Sequence, residues 1–181
     1  MTYTLEQFCD ETRDILKADQ RDDGREQIRQ NLGNLLANEE FVAANCGPDA
    51  ERGIHTLYHD KETDFHVLAH IYENGTESPP HDHGPSWAIY GQAVLTTDMI
   101  VWDRKDDGSV EGSAVVEPTE HYTLEPGMVG VFHPGQIHSI KFPSGARFVR
   151  VTGTDLNTVS QARYDLKNNS ISVDDPMAHA R

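Results

Sequence analysis

The stretch Gly75-Thr-Glu-Ser-Pro-Pro-His81-Asp-His83-Gly-Pro-Ser-Trp87-Ala-Ile-Tyr-Gly91 decides how this chain is read. On an extended segment side-chain direction repeats every second residue, so His81 and His83 project from one face. Two imidazoles then lie within reach of one metal ion. A second framed histidine follows in Gly127-Met-Val-Gly-Val-Phe-His133-Pro-Gly135-Gln-Ile-His138. Three histidines from two strands make a facial set with open coordination positions, the arrangement on which O2 and a substrate meet at iron.

Working outward, the 181 residues fit one domain with a substantial core. The formal net charge of −15 excludes the basic surfaces that nucleic acid and anionic membranes attract, and is read as a solubility feature. The N-terminus shows neither a basic region nor an apolar run, and no stretch approaches the roughly 18–20 apolar residues of a membrane span. A cytoplasmic chain is expected, with Cys9 and Cys46 reduced and packed as small hydrophobes.

The first 47 residues read as helical. Thr4 and Gln7 fit a capping box ahead of Leu5, Phe8, Cys9, Thr12, Ile15 and Leu16 at helical spacing. Asp22-Asp23-Gly24 reads as an interruption. Ile28, Leu32, Leu35 and Leu36 form the next stripe, and Asn38 caps a short third helix stopped by Gly47-Pro48. From Gly53 the texture changes to short strands: 54–59, 65–72, one through His81 and His83, 87–95, 99–104, 113–117, 121–124, 128–132, 138–142 and 147–152. Regular short strands after a helical lead indicate a β-sandwich or barrel over 53–157. A final hairpin around Asn168-Asn169 and a loose tail from Asp174 complete residues 158–181.

The glycines of the two histidine segments permit the turns that aim the ligand strands inward. Gly75, five residues, His81-x-His83 matches the first half of the cupin signature. Gly127, Gly135 and His138 match the second, with His133, read as a rim residue, in place of its proline. The signature's glutamate would fall on Trp87 or Ala88, neither of which binds metal. Three neutral imidazoles therefore leave a divalent ion's charge uncompensated and favour anionic ligands.

Ile54-His-Thr-Leu-Tyr58, Pro79-Pro-His-Asp-His83, Trp87-Ala-Ile, Ile137-His-Ser139 and Gly153-Thr-Asp-Leu156 leading to Arg163-Tyr-Asp165 together resemble the cysteine dioxygenase-like branch of the cupins. The resemblance implies a double-stranded β-helix (a jelly-roll barrel), mononuclear Fe(II) on His81, His83 and His138, and O2-dependent oxidation of a small thiol. Where that family carries a Ser-x-His-x-Tyr relay, this chain has Phe148-Val-Arg150-Val-Thr152. Arg150, on an inward strand position, offers a bidentate partner for a substrate carboxylate. The same resemblance places His70 and Tyr72 inward near the metal, as acid/base groups. Trp87, Ile89 and Phe132 read as apolar wall or core. The leading expectation is an Fe(II)-dependent dioxygenase of a small anionic substrate. The alternatives are a metal-bearing sensor that oxidises nothing and a non-redox isomerase or lyase using Zn(II), Ni(II) or Mn(II).

Overall fold

The computed structural model describes residues 2–174 and 176. Three helices come first: α1 (Leu5–Ala18), α2 (Asp22–Leu36) and α3 (Glu39–Cys46). Thr4 and Gln7 close the expected capping box, and the Asn38 side chain accepts from the amides of Glu40 and Phe41. The break between α1 and α2 falls earlier than the sequence implies, at Asp19–Arg21. Asp22 and Asp23 begin α2 instead, where carboxylates favour the positive end of the helix dipole. Gly24 is required at this corner, because a Cβ there would stand 2.1 Å from the Asp19 carbonyl oxygen.

The remaining strands are β1 (Gly53–His59), β2 (His66–Ile71), β3 (Thr76–Glu77), β4 (Ala88–Val94), β5 (Thr97–Arg104), β6 (Val116–Leu124), β7 (Val129–Phe132), β8 (Ile137–Phe142), β9 (Arg147–Thr152), β10 (Gln161–Asp165) and β11 (Ser170–Asp174). They form a five-stranded sheet, β1-β2-β9-β4-β7, and a four-stranded sheet, β3-β8-β5-β6, with every ladder antiparallel. Alternate residues of β4, β5, β7, β8 and β9 meet between the sheets: Tyr90, Met99, Phe132, Phe142 and Phe148. The other face of the five-stranded sheet, through Val67, Ala69, Ile89, Val149 and Val151, packs on Phe8, Ile28, Leu32 and Leu35 of the helices. The β10–β11 hairpin lies on the outer face of the four-stranded sheet, Tyr164 against Ile137 and Val116. This is the double-stranded β-helix with N-terminal helices that the sequence predicts.

Three local expectations are corrected. His81 and His83 do not lie on a strand: His81 makes isolated bridges to His138 and Arg163, and the chain then turns through Gly84, at φ 55°. Pro79 and Pro80 supply no N–H for a ladder, which explains the interruption. Segments 113–117 and 121–124 are not two strands, since one strand, β6, runs from Val116 through Pro118. A register shift opposite Val101/Trp102 absorbs the proline. Third, Asp174 is not loose but ends β11, paired with Arg163. Most of the tail beyond it lies outside the described residues. No helix among the described residues is long and apolar enough to cross a membrane.

Candidate metal centre

The backbones of His81 and His138 exchange two hydrogen bonds of 2.9 Å, which sets their side chains side by side. His83 joins them, and the three ring centroids lie 4.5 to 5.2 Å apart. One nitrogen from each ring falls within 4.8 Å of the other two.

The tautomers are fixed by the opposite ring nitrogens. His81 Nδ1–H donates to the Pro79 carbonyl at 3.0 Å, and His138 Nδ1–H donates to the Gln136 carbonyl at 3.2 Å. His83 Nδ1–H donates to Gln161 Oε1 at 3.2 Å, and the Gln161 amide is itself oriented by its Nε2–H on the Leu156 carbonyl. All three Nε2 atoms are therefore unprotonated, as metal ligation requires. His138 Nε2 is buried with no hydrogen-bond partner, an arrangement that an ion would satisfy. Burial holds the imidazoles neutral: His138 lies well below its ordinary value, His83 is pushed down to about 3, and His81 is also lowered. The donor set fits a borderline divalent ion such as Fe(II), Zn(II), Ni(II) or Mn(II), and among the described residues no carboxylate joins it.

Asp82, between two of the histidines, turns away from them. Its Oδ1 accepts from the Gly84 and Ala162 amides, and its Oδ2 from the Tyr164 hydroxyl. Phe132 stacks on the His138 ring at 3.8 Å, walling the site as expected. Trp87 and Ile89 instead face the helices. His133 is a rim residue whose Nδ1 accepts from Arg25 Nε.

Arg150, His70 and Tyr72 all enter the same interior, at different depths. Descending β9 from the ligand end, Thr152 pairs with Ala88, Arg150 with Tyr90, and Phe148 with both Gln92 and His70. No ion pair involves Arg150 among the described residues, and its Nε–H is buried without an acceptor. Its guanidinium is near enough to depress His70 and all three site histidines, after burial. His70 is stacked on Phe148 at 4.7 Å, with Nδ1 3.2 Å from the Tyr72 hydroxyl and Nε2 lacking a partner. Hence Arg150 adjoins the histidine cluster, whereas His70 and Tyr72 sit beyond Phe148 and make no hydrogen bond to it.

Two site residues escape the sequence reading. The Tyr90 hydroxyl donates to His83 Nε2 at 3.1 Å. Strand parity could have found it, since Tyr90 lies two residues beyond Ala88, one position of the missing glutamate. Gln161 carries no local signal at all.

No protein-family model matches this sequence, and no curated protein matches it. Solved structures of similar fold include KdgF from Halomonas sp. (17% identity, 57% of this chain and 82% of that one, TM-score 0.41). The Cnp3 cupin domain of Schizosaccharomyces pombe is similar at 14% identity over 60% of this chain and 66% of that one, TM-score 0.44. The DMSP lyase DddQ from Ruegeria pomeroyi is similar at 14% identity over 59% of this chain, TM-score 0.42, and this chain spans 49% of its length. The chain's own strands and imidazoles carry the conclusion: it is a double-stranded β-helix whose interior holds a three-histidine group able to bind a metal ion.

Proposed function

We propose that this chain is a mononuclear metal enzyme, an Fe(II)-dependent dioxygenase acting on a small organic anion, with thiol acids among the first substrates to test. The supporting observation is the pairing of three convergent, unprotonated Nε2 atoms with a neighbouring guanidinium that has no carboxylate partner. Bound there, Fe(II) supplies the redox chemistry by which O2 reacts with a substrate donor atom. The chain's residues do the rest. Neutral imidazoles leave the site electropositive and select an anionic donor. Arg150 donates a bidentate pair of N–H bonds to the substrate's carboxylate and fixes its orientation. Phe132, Phe148 and Met99 exclude water around it. His70 and Tyr72 hold a proton deeper in the barrel, within the field of Arg150.

Iron-loaded protein mixed anaerobically with thiol acids, diketones and hydroxy acids, then exposed to oxygen, should consume O2 with one class. Silence across all three overturns the proposal. Arg150→Met should raise KM for a carboxylate substrate about 10–100-fold with metal content unchanged. A second reading, a non-redox lyase or isomerase on Zn(II), Ni(II) or Mn(II), is favoured by one observation: the Tyr90 hydroxyl stands beside a ligand nitrogen, placed to exchange a proton with substrate. Turnover under nitrogen would establish that reading instead.

A further inference from the structure

We propose a second metal site on the rim of the barrel, formed by His59, Asp64 and His66. It shares no residue with the three-histidine cluster and does not depend on the function proposed above. His59 ends β1 and His66 begins β2, and the two are cross-strand partners. Asp64 sits in the connecting turn at φ 64°, a left-handed conformation uncommon outside glycine, and its Oδ1 faces the Nε2 atoms of both rings. One donor atom from each side chain lies within 4.8 Å of the other two. Asp64 Oδ1 is 2.8 Å from His59 Nε2 and 4.0 Å from His66 Nε2. Donor atoms around a tetrahedral Zn(II) are about 3.3 Å apart, given its bond lengths of about 2.0–2.1 Å. The two observed separations bracket that spacing.

Two details point to a ligand. His66 Nε2 is buried and has no hydrogen-bond partner, although it faces a carboxylate. A buried polar atom left so costs about 1–3 kcal/mol, which coordination would remove. The other Asp64 oxygen accepts from the Thr154 hydroxyl, a bond that orients the carboxylate as supporting partners do in metal sites.

The metal-free hairpin has its own arrangement. Lys61 Nζ donates to His59 Nδ1 at 3.1 Å, so His59 carries its proton on Nε2 and donates it to Asp64. An ion takes the place of that proton, which moves to Nδ1 as the exposed lysine withdraws. The rings are stacked at 4.0 Å with planes 14° apart, and His59, the more exposed ring, tilts to bring both nitrogens onto one ion. Two imidazoles and one carboxylate select borderline divalent ions, Zn(II) foremost, and leave a position open to solvent.

The test uses Zn(II) as the probe with the full chain. In a His81→Ala/His138→Ala variant, calorimetric titration should show one remaining equivalent, and adding His66→Ala should weaken it at least 100-fold. Should the double variant fail to fold, stoichiometry decides: two equivalents for the native chain, one for His59→Ala/His66→Ala, with Co(II) absorption of the lost site disappearing in parallel. The proposal is overturned if the double variant binds no Zn(II), if His66→Ala leaves its binding unchanged, or if the native chain takes up a single equivalent that the rim substitutions do not affect.

Discussion

Gln161 reaches His83 across 78 positions of sequence and determines which of its ring nitrogens bears the proton. Replacing it with leucine frees His83 to adopt the other tautomer, so metal affinity should fall about 10–100-fold with little change in melting temperature. Gln161→Glu keeps the acceptor and should retain tight binding. Equilibrium dialysis against Zn(II) reads both. His138→Ala removes a donor outright and should lower affinity further than any change at Gln161. The contrast between these two residues shows what the sequence could disclose. His81, His83 and His138 are legible because glycines and prolines at fixed spacing frame them, and those punctuation residues act locally. Gln161 and the resting place of Arg150 depend on which strands become neighbours, and no local pattern encodes that.

At the scale of elements, helix α2 lies against β4 with almost no clearance. A Cβ on Gly91 would come within 2.6 Å of Leu36 Cδ1 and 3.0 Å of Leu32 Cδ2. Both leucines are buried and would have to shift to make room, so Gly91→Ala should destabilise the fold by about 1–3 kcal/mol, measured by urea unfolding. Such contacts follow from the strand pattern. Strands β2 and β4 alternate cleanly, with His70 and Tyr90 to the interior and Ala69 and Ile89 to the helices, so their period-2 order is visible in the residues. The pattern misleads where a ladder is broken or bent. The histidine loop looks extended yet lacks donors at Pro79 and Pro80, and β6 continues through a proline because a bulge at Thr119 shifts its register against β5.

Across the molecule, four layers stack in order: helices, five-stranded sheet, four-stranded sheet and terminal hairpin. The helical layer is tied to the barrel at Asp60, buried in the β1–β2 turn. Its carboxylate accepts from Arg13 Nε at 2.6 Å, from the Tyr58 hydroxyl and from the Thr63 amide and hydroxyl. Burial alone would raise its pKa, but these donors prevail and hold it well below the carboxylate range. A depressed folded-state value stabilises the fold above the unfolded pKa of about 3.9, and that contribution drains away as pH drops towards the folded value. Asp60→Asn should therefore cost about 3 kcal/mol at pH 7 and progressively less below about pH 4, compared by denaturant unfolding at both pH values. Asp82 has a different consequence. Because it grips the Ala162 amide while standing between two candidate ligands, the last hairpin acts as a latch on the loop that presents them. A protease nick near residues 157–160, exposed apart from half-buried Val159, would spring that latch and let a held ion escape, with all three imidazoles chemically intact.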